Sequence, residues 1–142
     1  MEITKLINHP EQLDWFCNLG AVNAIFDEYD GYDGQSIPFV PSATFSLGGN
    51  YLIDRFLVGA DLTGQGYTQW NEANTFGQKE YVLLGAHVGY DFGNCNVRLW
   101  GRNLTDTKYN TFAVESKAAG QALRFAQRGN PLQVGVDLNV HL

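Results

Sequence analysis

No stretch of this 142-residue chain approaches the roughly 18 consecutive apolar residues that a membrane-crossing helix needs. A transmembrane helix is therefore excluded, but strands that hide their apolar half in alternation are not. Basic residues are also scarce: nine Lys and Arg stand against fifteen Asp and Glu, a net charge of −6. Nucleic-acid phosphates want the opposite balance, so that class of partner is excluded. Only two cysteines occur, Cys17 and Cys95. On the first and fifth strands of one meander they lie roughly 19 Å apart. A disulfide spans about 7 Å between Cα atoms, so both are expected as free thiols. His9, His87 and His141 are too scattered to suggest a metal site. No nucleophile–base pair and no phosphate-binding glycine motif appears, so no enzyme is expected and no cofactor is implied. The start lacks the basic-then-apolar pattern of an export leader, which suggests a piece of a longer protein.

What is present is alternation. Leu132, Val134, Val136, Leu138, Val140 and Leu142 alternate with Gln133, Gly135, Asp137, Asn139 and His141. A period of two sets aliphatics on one face of a strand and polar residues or glycine on the other. About eleven residues at roughly 3.3 Å each can cross a bilayer's hydrocarbon core at a tilt near 45°. Similar patterns predict strands over 43–51, 56–67, 81–92 and 96–102, with a less regular one over 13–26. Residues 1–12 read as a preceding loop or strand end, and 13–142 as one antiparallel up-and-down meander of about six strands. The connections run long, short, long, short, long, with loops at 27–41, 70–78 and 106–131. That rhythm fits an outer-membrane barrel. Tyr51, Phe56, Tyr90 and Phe92 flank the two short turns on the apolar faces, as an interfacial girdle would.

Three segments resemble the end of TonB-dependent outer-membrane receptors: LLGAHVGYDFGN (83–94), VRLWGRNLTDTKYN (97–110) and FAQRGNPLQVGVDLNVHL (125–142). Asn103, Leu104, Thr105, Asp106 and then Tyr109 match that family's penultimate-strand signature. Arg128, Gly129, Asn130, Pro131 and Gly135 look like Bacteroidota-type members. The last strand also resembles the signal read by the barrel-assembly machinery, through Gln133, Gly135, Leu138 and Val140. Leu142 stands where that signal usually ends in an aromatic residue.

The resemblance implies that residues 13–142 are the C-terminal strands of a 22-stranded transmembrane β-barrel. It implies a place in the bacterial outer membrane, lipid around the barrel, a plug domain and further strands elsewhere, and TonB as the energy source. The cargo would be a scarce nutrient: a ferric siderophore, a vitamin or a glycan. Two other readings stay open. One is a soluble, lipocalin-like small-ligand barrel with its apolar side chains inside. The other is a complete small outer-membrane barrel.

In the receptor reading, Asp61, Thr63, Gln65, Tyr67, His87, Arg98, Trp100 and Arg102 face the lumen, joined by Asp137. A charge pair is expected between Asp137 and Arg98 or Arg102. Tyr67, Trp70, Tyr109 and Phe112 are candidate ligand contacts, because aromatics in long surface loops often serve binding. Asp27, Glu28, Asp30 and Asp33 offer hard oxygens for calcium. Tyr32, however, stands where a calcium loop wants an acid, and the bidentate glutamate is missing. That loop therefore reads as solvated, and no metal is assigned.

Overall fold

The computed structural model describes residues 7–9, 13–118 and 121–140. They form eleven strands: β1 (Ile7–His9), β2 (Leu13–Ala21), β3 (Ala43–Ile53), β4 (Phe56–Gln65), β5 (Thr68–Gln69), β6 (Gly77–Gln78), β7 (Tyr81–Asp91), β8 (Cys95–Arg102), β9 (Asn110–Ala118), β10 (Gln121–Arg128) and β11 (Gln133–Val140). The main sheet has the order β1-β2-β3-β4-β7-β8-β11, and every neighbouring pair is antiparallel. It is an up-and-down meander. β2, β3, β4, β7, β8 and β11 are the six long strands; β1 adds a three-residue edge.

The register turns the alternation into two faces. Tyr51, Val58, Val88, Leu99 and Val136 form one row across five strands. The next row along is Asn50, Gly59, His87, Trp100 and Gly135, on the other face. Among the described residues no sheet or strand covers the aliphatic face: Val134 is 71% exposed, Val136 65% and Leu138 63%. Among the described residues the buried hydrophobics are Trp70 and Ala113, and neither lies in the main sheet. Among the described residues no dry centre holds the aliphatics, which counts against the soluble lipocalin-like alternative.

Asp54 (φ 54°) and Gly93 (φ 91°) supply the left-handed residues of the two short hairpins. The Asp91 carboxylate accepts the Gly93 N–H at 2.7 Å and fixes the second of these. Phe56 meets Tyr90 edge-on at 4.5 Å, and Tyr90 meets Phe92 at 4.6 Å, so the aromatics gather at the short-turn end. Cys17 and Cys95 are free thiols, four strands apart in the sheet order.

Three expectations change. The strand expected over 13–26 stops at Ala21, where the alternation fails; its continuation folds back on itself through an Ile25–Ser36 bridge. The 56–67 strand stops at Gln65, because Gly66 donates to the Ala43 carbonyl and turns the chain toward β5. The loop expected over 106–131 contains the β9–β10 hairpin, and β5 and β6 form a smaller one at its neighbour. All three long connections, 22–42, 66–80 and 103–132, leave the same end of the sheet.

Candidate functional site

The polar face carries its large side chains lying flat. Added side-chain carbons on Gly48, Gly59, Gly85 and Gly135 would run into Phe16, His87, Asp61 and Trp100 respectively. Each glycine is thus a seat for a cross-strand neighbour. The arrangement gathers Asp61, His87, Arg98, Trp100, Arg102 and Asp137 around one cavity of about 260 Å³. Gln65 stands apart at the strand end, donating to Thr68 Oγ1 at 2.9 Å and accepting from the Tyr81 hydroxyl at 3.2 Å.

The expected charge pair does not form. Asp137 lies directly opposite Arg98, as the alternation requires. Its Oδ1 instead accepts the Trp100 Nε1 proton at 3.1 Å. Arg102 sits 5.1 Å from the centre of the same indole ring. Trp100 can reach Asp137 because Gly135 leaves room for its ring. Among the described residues the ion pairs are Lys108–Asp106 and Arg124–Glu115, both in the long connection after β8.

That connection is anchored by Asn103, which is 5% exposed and held at φ 48°. Its Nδ2 donates to the Thr107 and Asn130 carbonyls, each at 3.0 Å, and its Oδ1 accepts from the Thr107 N–H at 2.9 Å. Asp106 accepts the Leu132 N–H at 3.1 Å and a 2.6 Å contact from Lys108. These bonds hold the Asp106 carboxyl below its usual range, the lysine contact most of all. Tyr109 stacks on Tyr81 at 4.4 Å, against Gly129. The Asn–Leu–Thr–Asp…Tyr run is therefore a knot tying β7, β8 and β11 to the base of the hairpin.

Of the four loop aromatics, the structure brings Trp70 and Phe112 together, 6.5 Å apart. Tyr67 lies against Gly77, and Tyr109 belongs to the knot. Phe39, which sequence reasoning missed, completes the cluster. Its ring stacks on Phe112 at 5.5 Å and leans on Trp70 at 5.5 Å. Trp70 is 6% exposed, whereas Phe39 and Phe112 are nearly half exposed, so the tryptophan backs two rings that face solvent. Phe39 holds φ 63°, a value that bulky residues seldom adopt. It follows Pro38 in a turn, at a position where glycine is the ordinary choice. That Pro–Phe step was the only sign of it in the sequence.

In the acidic loop, Asp33 Oδ1 accepts the Tyr29 N–H at 2.8 Å, and Phe26, Tyr29 and Tyr32 stack in series. Among the described residues no three His, Cys, Asp or Glu side chains gather as a metal site would need. Gln133, Gly135, Leu138 and Val140 lie on β11, two on each face; Leu142 and His141 fall outside the described residues.

The family described as TonB dependent receptor-like, beta-barrel matches residues 12–104. The fold is similar to that of the ferric yersiniabactin uptake receptor FyuA from Yersinia pestis (TM-score 0.85, 20% identity, 98% of this chain and 22% of that one). It is also similar to the siderophore receptor PiuA from Acinetobacter baumannii (0.80, 19%, 96% and 20%). A third match is the ferric-catecholate import receptor Fiu from K12 E. coli (0.72, 22%, 99% and 20%). At these identities the likeness concerns the fold. The chain spans about a fifth of the length of each of these receptors. It belongs to the TonB-dependent receptor-like β-barrel family.

Proposed function

We propose that residues 13–142 are the C-terminal barrel strands of an outer-membrane receptor that imports a scarce nutrient, with 1–12 leading into them. One observation carries this reading: most large aliphatics of the six long strands lie exposed on one face, while the charged residues share the other. In water that face would be a liability; against lipid it is the low-energy arrangement. The glycine-seated polar wall then lines the lumen and faces a plug contributed by the rest of the receptor. The three long connections rise on the extracellular side, and the short turns on the periplasmic side. Energy comes from TonB, and β11 presents the assembly signal. The role is transport, with no catalytic step.

A ferric siderophore is the cargo we favour over a vitamin or glycan, because the similar structures are named as receptors of that kind. Phe39 and Phe112, backed by Trp70, form its contact from this sector. Cysteine labelling tests the orientation. In a receptor cleared of its native cysteines, Cys17 and Cys95 among them, Phe125→Cys should react with an impermeant maleimide on intact cells, and Asn94→Cys only after lysis. Equal labelling of both in intact cells would refute the topology. Growth on ferric siderophores as sole iron source should require the gene.

A further inference from the structure

We infer that Asn74 clamps the first long connection to the second, so that Phe39 is held against Trp70 before any cargo arrives. Asn74 projects from the turn between β5 and β6, with its backbone at φ 52°. Its side-chain amide meets both backbone groups of Ser36, thirty-eight residues away. Oδ1 accepts the Ser36 N–H at 2.8 Å, and Nδ2 donates to the Ser36 carbonyl at 2.9 Å. The same Nδ2 also donates to the Asn71 and Glu72 carbonyls at 3.1 and 3.2 Å, which fixes the amide's direction. Asn71 secures the turn in turn, donating to Thr75 Oγ1 and accepting the Thr75 N–H.

From that point the two connections run side by side. Phe39 N–H donates to the Gln69 carbonyl at 2.8 Å, Pro41 bridges Thr68, and Ser42 N–H donates to the Tyr67 carbonyl at 3.1 Å. The segment 36–42 is therefore an irregular extra strand laid along 67–74, and Asn74 closes its far end. The rest of the first connection holds itself: Phe26 donates to Gln35, Gly34 to Phe26 and Tyr32 to Tyr29. Phe39 sits inside the clamped segment in a backbone conformation it would not keep if left free. An amide that grips both groups of one distant residue supplies the constraint. Asn74 is thus a positioning residue: the hydrogen bonds of its side chain go to backbone groups and not to the three rings. The role of the rings as cargo contacts rests on the proposed function; the clamp itself does not.

Hydrogen exchange on the full receptor in detergent, without cargo, tests it. Asn74→Gly keeps the left-handed backbone and removes only the amide. Exchange of Ser36 and Phe39 should then rise about tenfold or more, since both hydrogen bonds to Ser36 are lost together. Phe26, Tyr32 and Gly34 should exchange at their original rates, and the receptor's thermal midpoint should not move. Asn74→Asp keeps the acceptor for Ser36 N–H and loses the donor, so it should fall between. Unchanged exchange at Ser36 and Phe39 in Asn74→Gly would overturn the clamp. So would equal acceleration across 24–42, which would make Asn74 a general folding determinant of the loop. Failure of the cargo reading would leave these rates untouched and show only in uptake.

Discussion

At the scale of single residues, small side chains and backbone angles decide what the large ones can do. Gly135 leaves room for the Trp100 indole, and that is why Asp137 bonds a tryptophan and not an arginine. A double-mutant cycle between Trp100→Phe and Asp137→Ala should therefore show coupling of about 1 kcal/mol. The same cycle between Arg98→Ala and Asp137→Asn should stay near zero. Urea unfolding of the receptor in lipid reads both. Asn103 carries more, because three hydrogen bonds converge on a side chain almost wholly withdrawn from solvent. Asn103→Gly spares the backbone angle but leaves the Thr107 and Asn130 backbone groups without their partner, and should cost about 1–3 kcal/mol on the same assay. Asp106 gives the knot a pH dependence. Its carboxyl titrates lower in the folded chain than in the unfolded one, so its contribution is present above the unfolded value of about 3.9. That contribution is lost as pH falls through the lower, folded value. Exchange protection of the Leu132 amide should weaken below about pH 4 and lose this dependence in Asp106→Asn.

At the scale of elements, the strands and the connections obey different rules. Each long strand has one aliphatic face and one polar face, so under the proposed function the same substitution should act oppositely on neighbouring residues. Leu99→Arg, at mid-strand on the aliphatic face, should destabilise the receptor by about 2–4 kcal/mol in lipid. Arg98→Leu, one residue earlier, meets no such penalty and should move stability by less than about 1 kcal/mol. The alternation makes this legible in the sequence: Val97, Leu84 and Val136 fall on the face expected of them. The connections were not legible in that way. The β9–β10 hairpin hides in a run that includes Lys117 and a weak alternation of Phe112, Val114 and Ser116. Its strands form because Asn103, Tyr109 and Gln78 anchor its base, with the Asn110 N–H donating to Gln78 at 2.8 Å. No local pattern announces an anchor supplied from another loop.

At the scale of the whole molecule, the sheet is open and one-sided. Its end strands leave backbone groups unpaired among the described residues, and its aliphatic face has no cover. Both features drive association in water. The isolated 142-residue chain should therefore aggregate without detergent and disperse with it. Sedimentation of the refolded chain with and without detergent checks this. A monomer sedimenting freely in buffer would count against the lipid-facing assignment of every strand.

The sequence by itself determined the class, the strand order and the division into a greasy face and a wet one. Those follow from a period of two and from turn residues, and both are local. It also named most of the polar cavity, since neighbours on one face of a meander are set by register alone. Tertiary structure alone decided that Trp100 displaces the arginines at Asp137, that Phe39 joins Trp70 and Phe112, and that Asn74 holds Ser36. Each depends on residues tens of positions apart meeting in space. One-dimensional spacing carries no record of such meetings, because loop paths are fixed by whichever distant partner satisfies their backbone.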